Sequence, residues 1–165
     1  MRTTLLFAFA LIPVLALAQA RPPHIKRTNP PTLSTPTGYT HVVEVSGATR
    51  TVYISGQIAL DQAGNLVGQG DMKAQAEQVF KNLQAALSAA GAKFTDVVKM
   101  TTFVTDMQLA PAVREVRARY FGAATPASTL VQVVHLARPE LMIEVEVIAA
   151  VPEGARVMPA TEQRN

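Results

Sequence analysis

The stretch that most constrains the fold of this chain is Pro126–Val151, PASTLVQVVHLARPELMIEVEVIAAV. Within it Leu141, Ile143, Val145, Val147 and Ala149 share one parity, while Met142, Glu144, Glu146 and Ile148 share the other. Side chains alternate across a strand, so this spelling predicts a strand with one apolar face on a core and a second face of different character. Glu144 is the awkward residue. It sits mid-strand between Ile143 and Val145, where a carboxylate must meet water, a partner or a ligand to avoid a large burial cost. Upstream, Ala127–Leu136 reads as another strand, and the Ala137-Arg138-Pro139-Glu140 link is short enough to make the two a hairpin. Two adjacent apolar strands sharing an acidic residue could form the wall of a site. Spacing alone is equally satisfied by a solvent-facing Glu on an antiparallel sheet.

At 165 residues the chain holds one domain with a real core. Residues 1–20 are read as a leader outside it. Arg2 precedes an apolar run from Leu5 to Leu17, and Ala18-Gln19-Ala20 gives a small-x-small pattern before Arg21. The run is too short to span a membrane and has the proportions of a signal peptide, with cleavage expected after Ala20. An exported protein, periplasmic or secreted, is expected, with no membrane association after cleavage. There is no Cys, hence neither a lipid anchor nor a disulfide framework. The net charge is only +3, Lys and Arg are scattered, and there is no Trp. Composition therefore gives nucleic-acid binding no support.

Residues 21–37 carry five prolines and few apolar side chains, which reads as an extended arm. Residues 38–152 form the domain and 153–165 a tail. Thr40–Val45 and Thr51–Leu60 are strand-like, joined by Ser46-Gly47-Ala48-Thr49 as a hairpin. Gly68-Gln69-Gly70 precedes a helix, but Lys73 stands where a dinucleotide fingerprint needs its third glycine, so a plain loop is expected. Asp71 is a good N-cap. Met72, Ala76, Val79, Phe80, Leu83, Ala86, Leu87 and Ala90 make one broad apolar stripe, and Gly91 ends the helix. Val97–Val104 is a β-branched strand. Pro111 suits the first turn of a second helix, whose stripe is Leu109, Val113, Val116 and Tyr120, with Glu115 and Arg119 as an i, i+4 pair and Gly122 closing it. The order ββαβαββ predicts an α+β layer: a mostly antiparallel sheet with two helices on one face. The opposite face, bearing Met142 and Glu144, is a candidate for self-association.

Four pieces in this order resemble the RidA family, also called YjgF: Gly38-Tyr39, Tyr53-Ile54-Ser55-Gly56-Gln57-Ile58, the Val97–Val104 strand, and Ile143-Glu144-Val145-Glu146. The resemblance spans about Gly38 to Val151. It implies a chorismate-mutase-like fold, a homotrimer with ligand clefts between subunits, and hydrolysis of small 2-imino or enamine acids to 2-oxo acids and ammonia without metal or organic cofactor.

By that resemblance Glu144 is the water-activating carboxylate and Tyr39 the tyrosine on the loop before the first strand. Ser55, followed by Gly56, belongs to the substrate-binding turn. Arg114 stands where imine-hydrolysing relatives have an asparagine. Ser128 stands where they carry the arginine that holds the substrate carboxylate, with Thr129 and Leu130 after it. A serine cannot supply that charge, and losing such an anchor costs on the order of 2–5 kcal/mol. Arg114 or Arg138 could substitute, but each is expected to serve as a solvated surface residue. Two readings stay open. In one, Glu144 acts as general base on an imine with Tyr39 or Ser55 orienting water, on a neutral or bulkier substrate suited to Ser128 and Leu130. In the other, the trimer binds a small ligand without turning it over. His24, His41 and His135 are too scattered for a sequence-local metal motif. Ser55 lacks the context of a nucleophile elbow.

Overall fold

The structure is a computed structural model describing residues 24–47 and 49–153. The leader read at residues 1–20 and the tail from residue 154 lie outside these residues. In chain order the described residues form β1 (His24–Thr28), β2 (Val42–Ser46), β3 (Thr49–Gln57), α1 (Met72–Ala89), β4 (Val97–Val104), α2 (Ala110–Phe121), β5 (Ala127–Gln132) and β6 (Ile143–Pro152). From β2 onward this is the ββαβαββ order that the sequence predicts. The stretch read as an extended arm is partly regular, since β1 lies within it.

The parity of β6 is realised. Leu141, Ile143, Val145, Val147 and Ala149 are buried, whereas Met142, Glu144 and Ile148 are half-buried and Glu146 is exposed. The four-stranded sheet runs β3-β6-β4-β5, so its most apolar strand has a neighbouring strand on each side. The inner face packs against Val79, Phe80, Leu83 and Leu87 of α1 and Val113 and Val116 of α2. Both helices lie on this one face, as expected.

Two expected hairpins do not form. Thr40–Val45 and Thr51–Leu60 are not partners: β2 pairs with β1, and β3 pairs with β6. The mostly exposed β2 has little to bring to the core, whereas β3 contributes Ile54. Nor do β5 and β6 form a hairpin. The β5 strand ends at Gln132, four residues earlier than the apolar pattern suggests, and runs parallel to β4, joined to it by α2. A parallel pair requires such a crossover, and the helix supplies it. The place beside β6 is taken by β4 itself, antiparallel.

Helix α1 starts as predicted, with the Asp71 carboxylate accepting from Lys73 N at 2.9 Å and Ala74 N at 3.1 Å. At its end Gly91 N–H donates to Ser88 O at 2.9 Å and Ala92 N–H to Leu87 O at 2.8 Å, with Gly91 at φ +67°. This is the left-handed cap that only glycine adopts cheaply. Gln75 is fully buried in α1 and holds the approach to β6. Its amide donates to Glu140 O at 2.9 Å and accepts from Met142 N at 2.8 Å, which sets where Glu144 emerges.

The expected Glu115–Arg119 pair is replaced by contacts between helices: Lys73 to Glu115 at 2.7 Å, and Arg119 to Glu77. On α2 the buried stripe is Ala110, Val113, Val116, Arg117 and Phe121, whereas Leu109 is exposed and Tyr120 half-buried. The stripe is thus rotated by about one residue from the expected one, and an arginine falls on it.

Candidate functional site

Glu144 owes its surroundings to an irregularity in the neighbouring strand. Pairing of β3 with β6 runs regularly to Ile54↔Val147 and resumes at Gln57↔Val145, so β3 has one residue more than its partner. Ser55 and Gly56 form the resulting bulge, a device that bends a strand and re-aims its side chains. The Glu144 side chain lies over Gly56. A methyl group there would overlap the carboxylate, whose Cδ stands 2.8 Å from the position a Cβ would take. A side chain at residue 56 would therefore displace the Glu144 carboxylate from this position. Glu144 faces away from the helices, on the outer sheet face, where Ser55 and Glu146 line one shallow depression with Tyr53, Lys99 and Thr101. Tyr53 is 76% exposed on that face.

A second centre lies on the helix side. Tyr39, Arg114, Ser128 and Leu130 line one cavity of about 400 Å³, together with Thr35, Thr37 and Arg117. Ser128 and Leu130 stand opposite the buried Met100 and Thr102 of β4, so both point inward, toward α2. The loop carrying Tyr39 is pinned to the start of β5. Thr40 N donates to Pro126 O at 3.0 Å, and the buried Thr40 hydroxyl meets Thr125 O and Thr125 Oγ1 at 2.8 Å each. Arg27 adds a bond from Nε to Thr125 O at 3.1 Å, fastening β1 to the same segment. The Tyr39 ring packs edge-on to His41 at 5.1 Å, and His41 Nε2 meets Ser34 O at 2.8 Å. Loop and strand are thereby held facing each other across the cavity.

Arg117 closes this cavity from α2 and is only 7% exposed. Gly38, at φ +72°, leaves room for it: any side chain at residue 38 would collide with Arg117 Nη2. Burial first, and the like charge of Arg114 second, lower the Arg117 pKa. A guanidinium remains charged at neutral pH nonetheless.

Of the residues singled out from sequence, Tyr39, Arg114, Ser128 and Leu130 come together, and so do Ser55, Gly56 and Glu144. The two groups occupy different faces of one protomer. Arg138, considered as a substitute anchor, is engaged by Glu140, with Nε 2.6 Å from Oε1. Arg114 is exposed, as expected, yet lines the cavity. Arg117 was not singled out from sequence, although it stands four residues after Val113 and four before Phe121, on the apolar line of α2.

Residues 31–151 match the family model described as Endoribonuclease L-PSP. Protein DfrA of Myxococcus xanthus is 44% identical over 111 residues, covering 67% of this chain and 83% of its own. The 2-iminobutanoate/2-iminopropanoate deaminase of mouse is 39% identical over 111 residues, covering 67% and 79%. Among solved structures, YyfB of Yersinia pestis, a protein of unknown function of the conserved Rid family, superposes with a TM-score of 0.71 at 38% identity, over 77% of this chain and 98% of that one.

Proposed function

Because this chain belongs to the Endoribonuclease L-PSP family, the RidA or YjgF proteins, we propose that it hydrolyses small imines or enamines to oxo compounds and ammonia, with Glu144 activating water. The observation that carries this reading is Glu144 itself: a half-buried carboxylate over the Ser55-Gly56 bulge, on a sheet face that the helices leave open. A carboxylate beside an electrophilic carbon is all that water addition to C=N requires. As the water oxygen adds to the imine carbon, the π pair moves to nitrogen, and Glu144 carries the water proton across. Glu144 then passes the carbinolamine's hydroxyl proton to nitrogen, the C=O bond forms as the C–N bond breaks, and ammonia leaves. One imine and one water become one oxo compound and one ammonia.

Glu144 and the Tyr39–Ser128 cavity lie apart in one protomer, so the reading includes self-association. The outer face of one copy meets the cavity side of the next, and a cyclic trimer repeats that heterologous contact three times. The exposed Tyr53 and half-buried Ile148 on the outer face support such a contact. Tyr39 orients the bound substrate and water. The leader reading puts this chemistry outside the cytoplasm. The nuclease activity named in the family description has less support, given a net charge of +3 and a composition poor in aromatics.

The test is oxo-product formation by the purified protein from Arg21 onward, with imino acids and neutral imines generated in situ. Faster product formation than in protein-free controls is expected. No acceleration across both substrate classes would favour the ligand-binding trimer instead.

A further inference from the structure

Strands β1 and β2 pair as far as Thr28↔Val42, so Asn29 and His41 stand where the chain leaves the ladder. The loop between them supplies Thr35, Thr37 and Tyr39 to the cavity of about 400 Å³. His41 closes this loop at its base, through backbone and side chain together. Its backbone N–H donates to Asn29 Oδ1 at 2.9 Å, and its ring Nε2 lies 2.8 Å from Ser34 O. A carbonyl oxygen only accepts, so Nε2 carries the hydrogen. Across residues 34–37 this is the one hydrogen bond formed with the other described residues. The imidazole also meets the Tyr39 ring edge-on, with centroids 5.1 Å apart and planes at 79°, the T-shaped arrangement that aromatic rings favour. Thr40, between the two rings, is tied to Pro126 and Thr125, which fixes the backbone there. The Tyr39 ring and residues 34–37 are left to His41. Gly38 abuts Arg117 and blocks movement of the loop into the cavity, so the His41–Ser34 bond opposes the movement that remains, outward.

We infer that His41 is a positioning residue, which holds Tyr39 against the cavity through its ring contact and its hydrogen bond to the Ser34 carbonyl. This rests on the imine-hydrolase reading above, in which Tyr39 orients the bound substrate and water. His41 stands behind the cavity wall and not in it, so it touches no substrate and acts through its two neighbours. The same imidazole joins the part of the loop bearing Thr35 and Thr37 to the ring of Tyr39. Losing it releases both parts at once. Orientation of reacting groups tolerates little error, and a displacement of about 1 Å is worth on the order of 100-fold in rate.

The experiment pairs imine hydrolysis with fluorine NMR of the protein from Arg21 onward, labelled with fluorotyrosine. The chain has three tyrosines, and the resonance lost in Tyr39→Phe identifies Tyr39. His41→Phe keeps a ring beside Tyr39 and removes the donor to Ser34. It should shift and broaden the Tyr39 resonance, leave those of Tyr53 and Tyr120 in place, and lower kcat by about 10- to 100-fold with a smaller change in KM. His41→Gln should restore most of both, because a glutamine amide can place a donor where the imidazole Nε2 stands. In the Tyr39→Phe background, His41→Phe should cost little further rate, since two residues acting through one contact are not additive. Asn29→Ala, which takes the acceptor from the His41 N–H, should disturb the Tyr39 resonance in the same sense and is the test variant if His41→Phe fails to fold. A Tyr39 resonance unmoved by these variants would overturn the inference. So would a loss of rate that His41→Gln does not relieve, or one that stays undiminished without the Tyr39 hydroxyl. The resonance needs no turnover, so the two readings fail separately. A Tyr39 signal that follows His41 in a protein without hydrolysis would remove the catalytic reading and keep the hold of His41 on Tyr39. Hydrolysis indifferent to His41 would do the reverse.

Discussion

Replacing Glu144 by Gln is expected to lower imine hydrolysis by about 10²–10⁴-fold, the usual contribution of a positioned general base. The substitution keeps the shape of the side chain over Gly56 and removes only the group that accepts a proton. Glu144 makes no ion pair among the described residues and is half-buried on the outer face of β6. Stability should consequently change little, within about 0.5 kcal/mol, as for substitutions outside the core. The loss should appear in kcat, because a base acts in the transition state more than in substrate binding. Oxo-product assays on both proteins at matched concentration, with thermal melts as the folding control, make the comparison. A variant retaining the wild-type rate would mean that Glu144 does not activate the water.

The largest expected effect on stability is at Phe80. Its ring is fully buried in α1 and stands 5.2 Å from Tyr120, 6.2 Å from Phe94 and 6.3 Å from Phe121, centroid to centroid. Tyr120 and Phe121 belong to α2 and Phe94 to the turn before β4, so one side chain joins three parts of the layer. Phe80→Ala removes the ring and leaves a cavity that rigid neighbours cannot fill, at a cost of about 3–5 kcal/mol. Against a total stability of roughly 5–15 kcal/mol this is a large share. For a domain of this size it corresponds to a fall in Tm of roughly 10–25 °C at fixed protein concentration. Lys81→Ala, exposed one residue further along the same helix, should move the melt by no more than about 2 °C. Because α2 carries Arg114 and Arg117, the Phe80 variant should also lose ligand binding before it unfolds. Equal melts for Phe80→Ala and Lys81→Ala would show that the aromatic cluster does not hold the helices.

The elements that could be read from sequence are those whose signal is local. The strand containing Glu144 announces itself by parity, and α1 by its stripe between Asp71 and Gly91. Each signal reports which face is buried, which is a property of a few neighbouring residues. Strand pairing is not local in that sense. A four-residue link permits a hairpin between Ala127–Leu136 and β6, but nothing in the link reveals that β4 competes for the same edge and wins. The Ser55-Gly56 bulge left a trace as a glycine inside a strand pattern, a recognised sign of close backbone approach.

Arg117 was obscured by the default that arginines lie outside, a default that holds for most of them and fails for this one, buried on the apolar line of α2. Its spacing from Val113 and Phe121 was the available signal. The residues of the candidate site were found mainly through the family resemblance. Their division between two faces, which directs attention to a second copy, appears only in three dimensions.

The most direct test of a site built between copies is subunit mixing. Ser128→Phe would fill the cavity, and Glu144→Gln removes the base, so each variant alone should be inactive. Refolded together in equal amounts, the two should form mixed trimers in which some clefts combine an intact cavity from one copy with an intact Glu144 from the next. Random assembly places such a combination at about one cleft in four, so about a quarter of the wild-type rate should return. Activity no greater than that of the separate variants, in mixtures shown to exchange subunits, would contradict a cleft completed by two copies.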